Sequence, residues 1–147
     1  MLSRKGLNMS DEFKISLAQL NATVGDLSGN TQKVMEAWEI ARDQRSDLIA
    51  FPELFITGYN PQDLILKTAF QKAATSSIDQ IAKACAQGPA IAIGGPFYDQ
   101  NKLYNSYYIL AGGKIQAVIK KHHLPNEEVF DEVRLFSSGN VDGPFQI

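Results

Sequence analysis

One cysteine, Cys85, is the only thiol in these 147 residues, so no intrachain disulfide can form and a reducing, cytoplasmic setting is expected. No apolar run approaches the length needed to cross a bilayer, and residues 1–12 lack the apolar stretch of a signal peptide and read as a flexible leader. Charge of one sign is also missing. Fourteen Lys and Arg face sixteen Asp and Glu, a net charge of −2, and the densest basic cluster is only Lys120-Lys121-His122-His123. That balance gives no electrostatic reason to expect nucleic acid or an anionic membrane as partner. There is no internal repeat and no low-complexity tract. With 44% apolar residues and 20% charged, what remains is a small-molecule enzyme or a protein-binding domain, of a length that suits one core.

The pattern along the chain alternates between strand and helix. Phe13, Ile15 and Leu17 alternate with polar residues over 13–20, a strand. Turn chemistry at 24–30 ends on Asn30, a plausible N-cap for a helix over 31–45 that carries Val34, Ala37, Trp38 and Ala41 as one apolar stripe. Residues 47–51 form a short buried strand stopped by Pro52. A loop or short helical turn over 61–68 leads into a second helix at 69–87, ended by Gly88-Pro89. Residues 90–93 read as another strand, stopped by Gly94-Gly95-Pro96, which reads as a turn. Two further strands, 103–110 and 114–121, form a hairpin around Ala111-Gly112-Gly113. This order predicts an α/β (α+β) mixed sheet with helices packed on one face. The tail at 144–147 resembles a strand just beginning, so the domain reads as incomplete at its C-terminus.

Two constellations carry chemistry. Glu53 follows a buried strand, with Pro52 fixing the turn and Phe51, Leu54, Phe55 and Tyr59 around it. Loss of hydration there would raise its pKa and suit it to general-base work, while a solvated loop carboxylate is the alternative. Lys121 extends the row Ile115, Ala117, Ile119, and an ammonium at the end of an apolar row can hold a developing oxyanion; an exposed strand-end lysine is the alternative. Lys120 belongs to the other, more polar row. His122 and His123, as strand neighbours, point to opposite faces, and no third ligand is spaced to help them hold a metal; no metal site is expected. Cys85 follows Ile78, Ile81 and Ala82 at helical spacing, which makes it a core thiol with a raised pKa rather than a nucleophile. Trp38 and the tyrosines Tyr104, Tyr107 and Tyr108 are expected in the core or on a sheet face.

Residues 47–64, with Phe51-Pro52-Glu53-Leu54, Thr57-Gly58-Tyr59 and Asp63-Leu64, together with residues 120–136, with Leu124-Pro125-Asn126 and Val129-Phe130-Asp131-Glu132, resemble the nitrilase (carbon–nitrogen hydrolase) superfamily. More narrowly they resemble the glutaminase domain of glutamine-dependent NAD synthetases. The resemblance implies a nitrilase-like α-β-β-α sandwich of which 13–147 is the N-terminal part. It implies Glu53 as general base and Lys121 as oxyanion stabiliser of a Glu-Lys-Cys triad, with Tyr59 and Glu132 shaping the substrate pocket. The nucleophilic cysteine of the family belongs to a later segment. One departure stands out: where members often carry Tyr-Gly after the Leu-Pro-Asn, this chain has Glu127-Glu128. The implied partners are glutamine, a downstream synthetase domain that would use ATP and Mg²⁺, and further copies in a homo-oligomer. The glutaminase step itself implies no cofactor. A free-standing amidase or nitrilase, and a non-catalytic folding or interaction module, are the competing readings.

Overall fold

A computed structural model describes residues 12–127, 130–141 and 143–144. The expected leader at 1–12, apart from Glu12, and most of the expected strand at 144–147 lie outside the described residues. The elements follow in the order β1 (Ile15–Leu17), α1 (Leu27–Asp43), β2 (Leu48–Ala50), a 3-10 turn (Gln62–Leu66), α2 (Thr68–Ala84), β3 (Ala90–Asp99), β4 (Lys102–Ala111), β5 (Lys114–Lys120) and α3 (Glu132–Leu135). The five strands form one sheet in sequence order. β1, β2 and β3 run parallel through helical crossovers, and β4 and β5 add antiparallel as successive hairpins. The mixed sheet expected from the sequence is therefore present. Among the described residues no helix is long and apolar enough to cross a membrane.

Both long helices cover the same face. Val34, Trp38 and Ala41 of α1 and Ala74, Ile78 and Ile81 of α2 share one core with Ile49, Ile91, Ile93, Tyr108 and Leu110 of the sheet. Trp38 and Tyr108 bury their rings and still satisfy their polar tips, on the carbonyls of Pro89 and Pro96. The other face of the sheet, with Asn105, Tyr107, Ile119 and Lys121 in alternation with these core residues, is left for chemistry.

Three local expectations change. Helix α1 starts at Leu27, capped by Asp26 on the Gly29 N–H, and Asn30 is not its cap. Asn30 is buried inside the first turns, where its amide bonds Thr23 N, Thr23 O and Ile56 O. Burial with three backbone partners outweighs its capping preference. Second, Gly94-Gly95-Pro96 is not a turn, because β3 continues through it to Asp99. The backbone of Glu53 and Leu54 packs directly onto Gly94, and a Cβ there would stand 2.2 Å from Leu54 N. Glycine thus marks a close approach of two chains. Pro96 lies where β2 has already ended, an edge position that tolerates a missing N–H. The real turn is Gln100-Asn101, both with positive φ (47° and 62°), the backbone of a two-residue hairpin.

Third, β5 carries a bulge. Ile109 pairs with Ala117, but Leu110 pairs with Ile115, leaving Gln116 extra. Ile115 therefore turns to the helix side and packs on the main core with Val118. It does not share a row with Ala117, Ile119 and Lys121, as strict alternation would require.

Candidate active site

After Phe51, whose N–H still bonds the carbonyl of Ala92, the chain leaves the sheet and returns at Ile56, whose N–H bonds the carbonyl of Gly94. Between them Leu54 is held at φ 48°, an uncommon conformation for a bulky residue, fixed by burial of its side chain and by the Thr57 N–H on its carbonyl. Leu54 joins Ile65, Leu103, Leu135 and Phe136 in a second, smaller core. Glu53, one residue earlier, is thereby set over Gly94 on the face away from the two long helices.

Lys121 arrives on that same face from the end of β5. Its backbone is fastened on both sides, the N–H to the carbonyl of Asn105 (2.8 Å) and the carbonyl to the N–H of Gly139 (2.9 Å). Its ammonium stands 2.6 Å from Oε1 of Glu53 and 3.0 Å from Oε1 of Glu132. Glu132 opens the short helix α3, which Arg134 ties to the 3-10 turn through a 2.5 Å bond to Asp63 while also bonding Asp131 at the start of its own helix. The side chain of Glu132 is 3% exposed, those of Lys121 and Glu53 29% and 43%. So Glu132 is a buried anchor, while Glu53 and Lys121 meet an open cleft of about 330 Å³ that they line with Asn105, Ser106, Tyr107 and Ile119.

Burial works to lower the pKa of Lys121, but hydrogen bonds and charge from Glu53 and Glu132 outweigh it and hold it above the ordinary lysine value. The ammonium therefore stays charged throughout the neutral range. Tyr59 is coupled to the same charges. Burial first, then Glu132 and Glu53, raise its pKa against the opposing pull of Lys121, so it remains a phenol. The structure thus brings all four residues singled out from the sequence into one neighbourhood. The expected drying of Glu53 is absent: Phe51, Leu54 and Phe55 point into the cores, and the carboxylate is partly exposed and ion-paired.

Sequence reasoning passed over Asn105. Its Nδ2 lies 2.6 Å from Oε1 of Glu53 and 3.4 Å from Oε2 of Glu132. A lone amide in the row Leu103, Tyr107, Ile109 was a signal, but counting out from the Gly112-Gly113 turn without the bulge sets Tyr104, not Asn105, against Lys121. Lys120 points to the helix side, bonded to Asp99 (2.9 Å) and lying over the rings of Tyr104 and Phe97. The strand ends at Lys120, so His122 and His123 are not splayed to opposite faces; their rings touch edge to face at 4.7 Å, and Nδ1 of His122 bonds the Gly139 carbonyl. Among the described residues no three His, Cys, Asp or Glu side chains are grouped to hold a metal. Cys85 is buried in the main core at the end of α2, with Sγ 3.5 Å from Sδ of Met35, and burial raises its pKa to about 11.

A profile of the carbon-nitrogen hydrolase family matches residues 14–146. The glutamine-dependent NAD(+) synthetase of Rhodobacter capsulatus is 47% identical over 139 residues, which is 95% of this chain and 25% of that protein. The enzyme of the same name from Aquifex aeolicus is 41% identical over 128 residues, 86% and 22% of the two chains. Among solved structures, a glutamine-dependent NAD+ synthetase from Acinetobacter baumannii superposes with a TM-score of 0.86 at 34% identity, over 92% of this chain and 26% of that one. An amidase from Nesterenkonia sp. shares the fold at a TM-score of 0.76 and 24% identity, over 90% and 50%. The chain spans about a quarter of the length of the curated relatives it matches.

Proposed function

The chain belongs to the carbon-nitrogen hydrolase family, and from that premise we propose that it is the first part of the glutamine-hydrolysing domain of a glutamine-dependent NAD synthetase. Similarity to synthetases of that name supports the substrate. One observation supports the chemistry: the Lys121 ammonium sits between the carboxylates of Glu53 and Glu132, at 2.6 and 3.0 Å, on the wall of an open cleft.

In this reading Glu53 takes the proton of a cysteine thiol that the longer protein presents to the cleft, and the thiolate attacks the side-chain amide carbon of glutamine. Lys121, always charged, meets the oxygen on which negative charge develops. Glu53 returns the proton to the nitrogen as the C–N bond breaks. Ammonia departs and leaves a thioester, which water, deprotonated by Glu53, hydrolyses to glutamate and free thiol. Oε1 of Glu53 already accepts from Asn105 and Lys121, whereas Oε2 has no partner among the described residues and is the oxygen for the proton. Tyr59, held as a phenol, supplies a hydrogen-bond donor near the substrate. The ammonia would serve a synthetase domain of the same longer protein, where ATP and Mg²⁺ would act, in the reducing cytoplasm that a single cysteine fits.

The test is nitrogen source. In the full-length protein, Glu53→Gln and Lys121→Ala are expected to lower glutamine-driven NAD synthesis by at least about a hundredfold and to leave synthesis from free ammonia intact. Equal loss from both sources would remove Glu53 and Lys121 from the glutaminase step. Ammonia release from glutamine with no accompanying NAD synthesis in the unaltered protein would favour a free-standing amidase.

A further inference from the structure

We infer that Asn105 is a positioning residue for the proposed glutaminase step: its side-chain amide pins Oε1 of Glu53, fixes the carboxylate over the cleft and leaves Oε2 to carry the proton. The inference rests on the reading given under the proposed function. Asn105 is buried in β4 and touches every charged member of the site. Its Nδ2 lies 2.6 Å from Oε1 of Glu53 and 3.4 Å from Oε2 of Glu132, and its carbonyl accepts the Lys121 N–H at 2.8 Å.

The chemistry of the place selects an amide. A group lying between two carboxylates must offer two hydrogens and bring no negative charge of its own, and an NH₂ does both. A lysine or arginine there would neutralise the second carboxylate and compete with Lys121. An aspartate would set a third anion against the two already present. The groups that face Glu53 are Lys121 from β5, Asn105 from β4, Glu132 from α3 and Tyr59 from the loop after β2. Of these only Lys121 and Asn105 hydrogen-bond its carboxylate. Lys121 must give up part of its attention when an oxyanion forms. Asn105 then remains as the second hold on the carboxylate, from a side chain itself fixed by burial.

The test uses the full-length protein, with Glu53→Gln carried in parallel. Asn105→Asp adds a negative charge beside Glu53, which disfavours the ionised base, so the acidic limb of kcat/KM for glutamine is expected to move up by about one pH unit or more. Asn105→Ser is expected to lower kcat with glutamine by about ten- to a hundredfold with KM nearly unchanged. Synthesis from free ammonia should hold its unaltered rate and pH profile in both. If the buried aspartate keeps the protein from folding, the kcat of Asn105→Ser decides alone. An unmoved acidic limb together with an unmoved kcat would overturn the inference, as would a loss confined to KM or shared by the ammonia-driven reaction. Should Glu53→Gln itself keep glutamine activity, the functional reading fails; should it lose that activity while the Asn105 variants behave as the unaltered protein, only the role of Asn105 fails.

Discussion

At Lys121 two influences oppose each other, and the winner decides what the residue can do. Burial favours the neutral amine; the two carboxylates favour the ammonium and prevail. A raised folded pKa gives stability that is complete below the ordinary lysine value and is lost only as pH rises through the folded one. The cluster is thus intact across the neutral range. Cys85 shows the contrary case, a lone acid in an apolar core. With its pKa moved from 9.0 to about 11, roughly one thiol in a thousand is ionised at pH 8. Iodoacetamide at that pH should leave Cys85 unmodified in the folded chain and label it once denaturant is added. Rapid labelling of the folded chain, followed by mass spectrometry, would show that the thiol is accessible and ionised. Its fate was legible from the spacing of Ile78, Ile81 and Ala82. The neighbourhood of Glu53, Lys121, Tyr59 and Glu132 was legible only through resemblance, since residues 53 and 132 are far apart in sequence and no periodicity connects them.

Elements hide information when one composition serves two structures. Gly94-Gly95-Pro96 has the make-up of a turn, yet it is the stretch of β3 onto which the backbone of Glu53 and Leu54 is laid. Nothing local in those three residues reveals the second chain above them. The consequence is testable. Gly94→Ala would put a methyl 2.2 Å from Leu54 N and 2.7 Å from Cα of Glu53, backbone atoms that cannot rotate away. It is expected to lower stability by about 1–3 kcal/mol and to cut glutamine-driven turnover more than Gly95→Ala, whose methyl meets side chains rather than that backbone, the nearest being Cγ2 of Ile56 at 3.0 Å. Thermal unfolding and turnover of the two variants would check this, and equal effects would mean that Gly94 does not seat Glu53. The bulge at Gln116 is a second hidden device. By inserting one residue it sends Ile115 to the helix side and Lys121 to the other, and it sets Asn105 rather than Tyr104 against Lys121. Asp26 and Asn30 are both good caps four residues apart, and only the burial of Asn30 separates them.

For the molecule as a whole, the alternation of short strands and helices told enough to expect a mixed sheet with helices on one face, and the two long helices lie so, while the short α3 packs on the other face. The two parallel crossovers place α1 and α2 together, and the hairpins extend the sheet beyond them. The consequence for function is a division of faces. The main apolar core, with Cys85 inside it, occupies the side of the two long helices, and Glu53, Asn105, Lys121 and Glu132 gather on the other beside the smaller core. On the proposed function, this second face receives a thiol and the side-chain amide of glutamine together. The most direct measurement is a crystal structure of the full-length protein inactivated by a chloroketone analogue of glutamine. The expected result is an alkylated cysteine beside Oε2 of Glu53, with the adduct's carbonyl oxygen at about 2.7–3.1 Å from Nζ of Lys121. An adduct on Cys85, or a carbonyl oxygen turned away from Lys121 towards the helix side of the sheet, would contradict it.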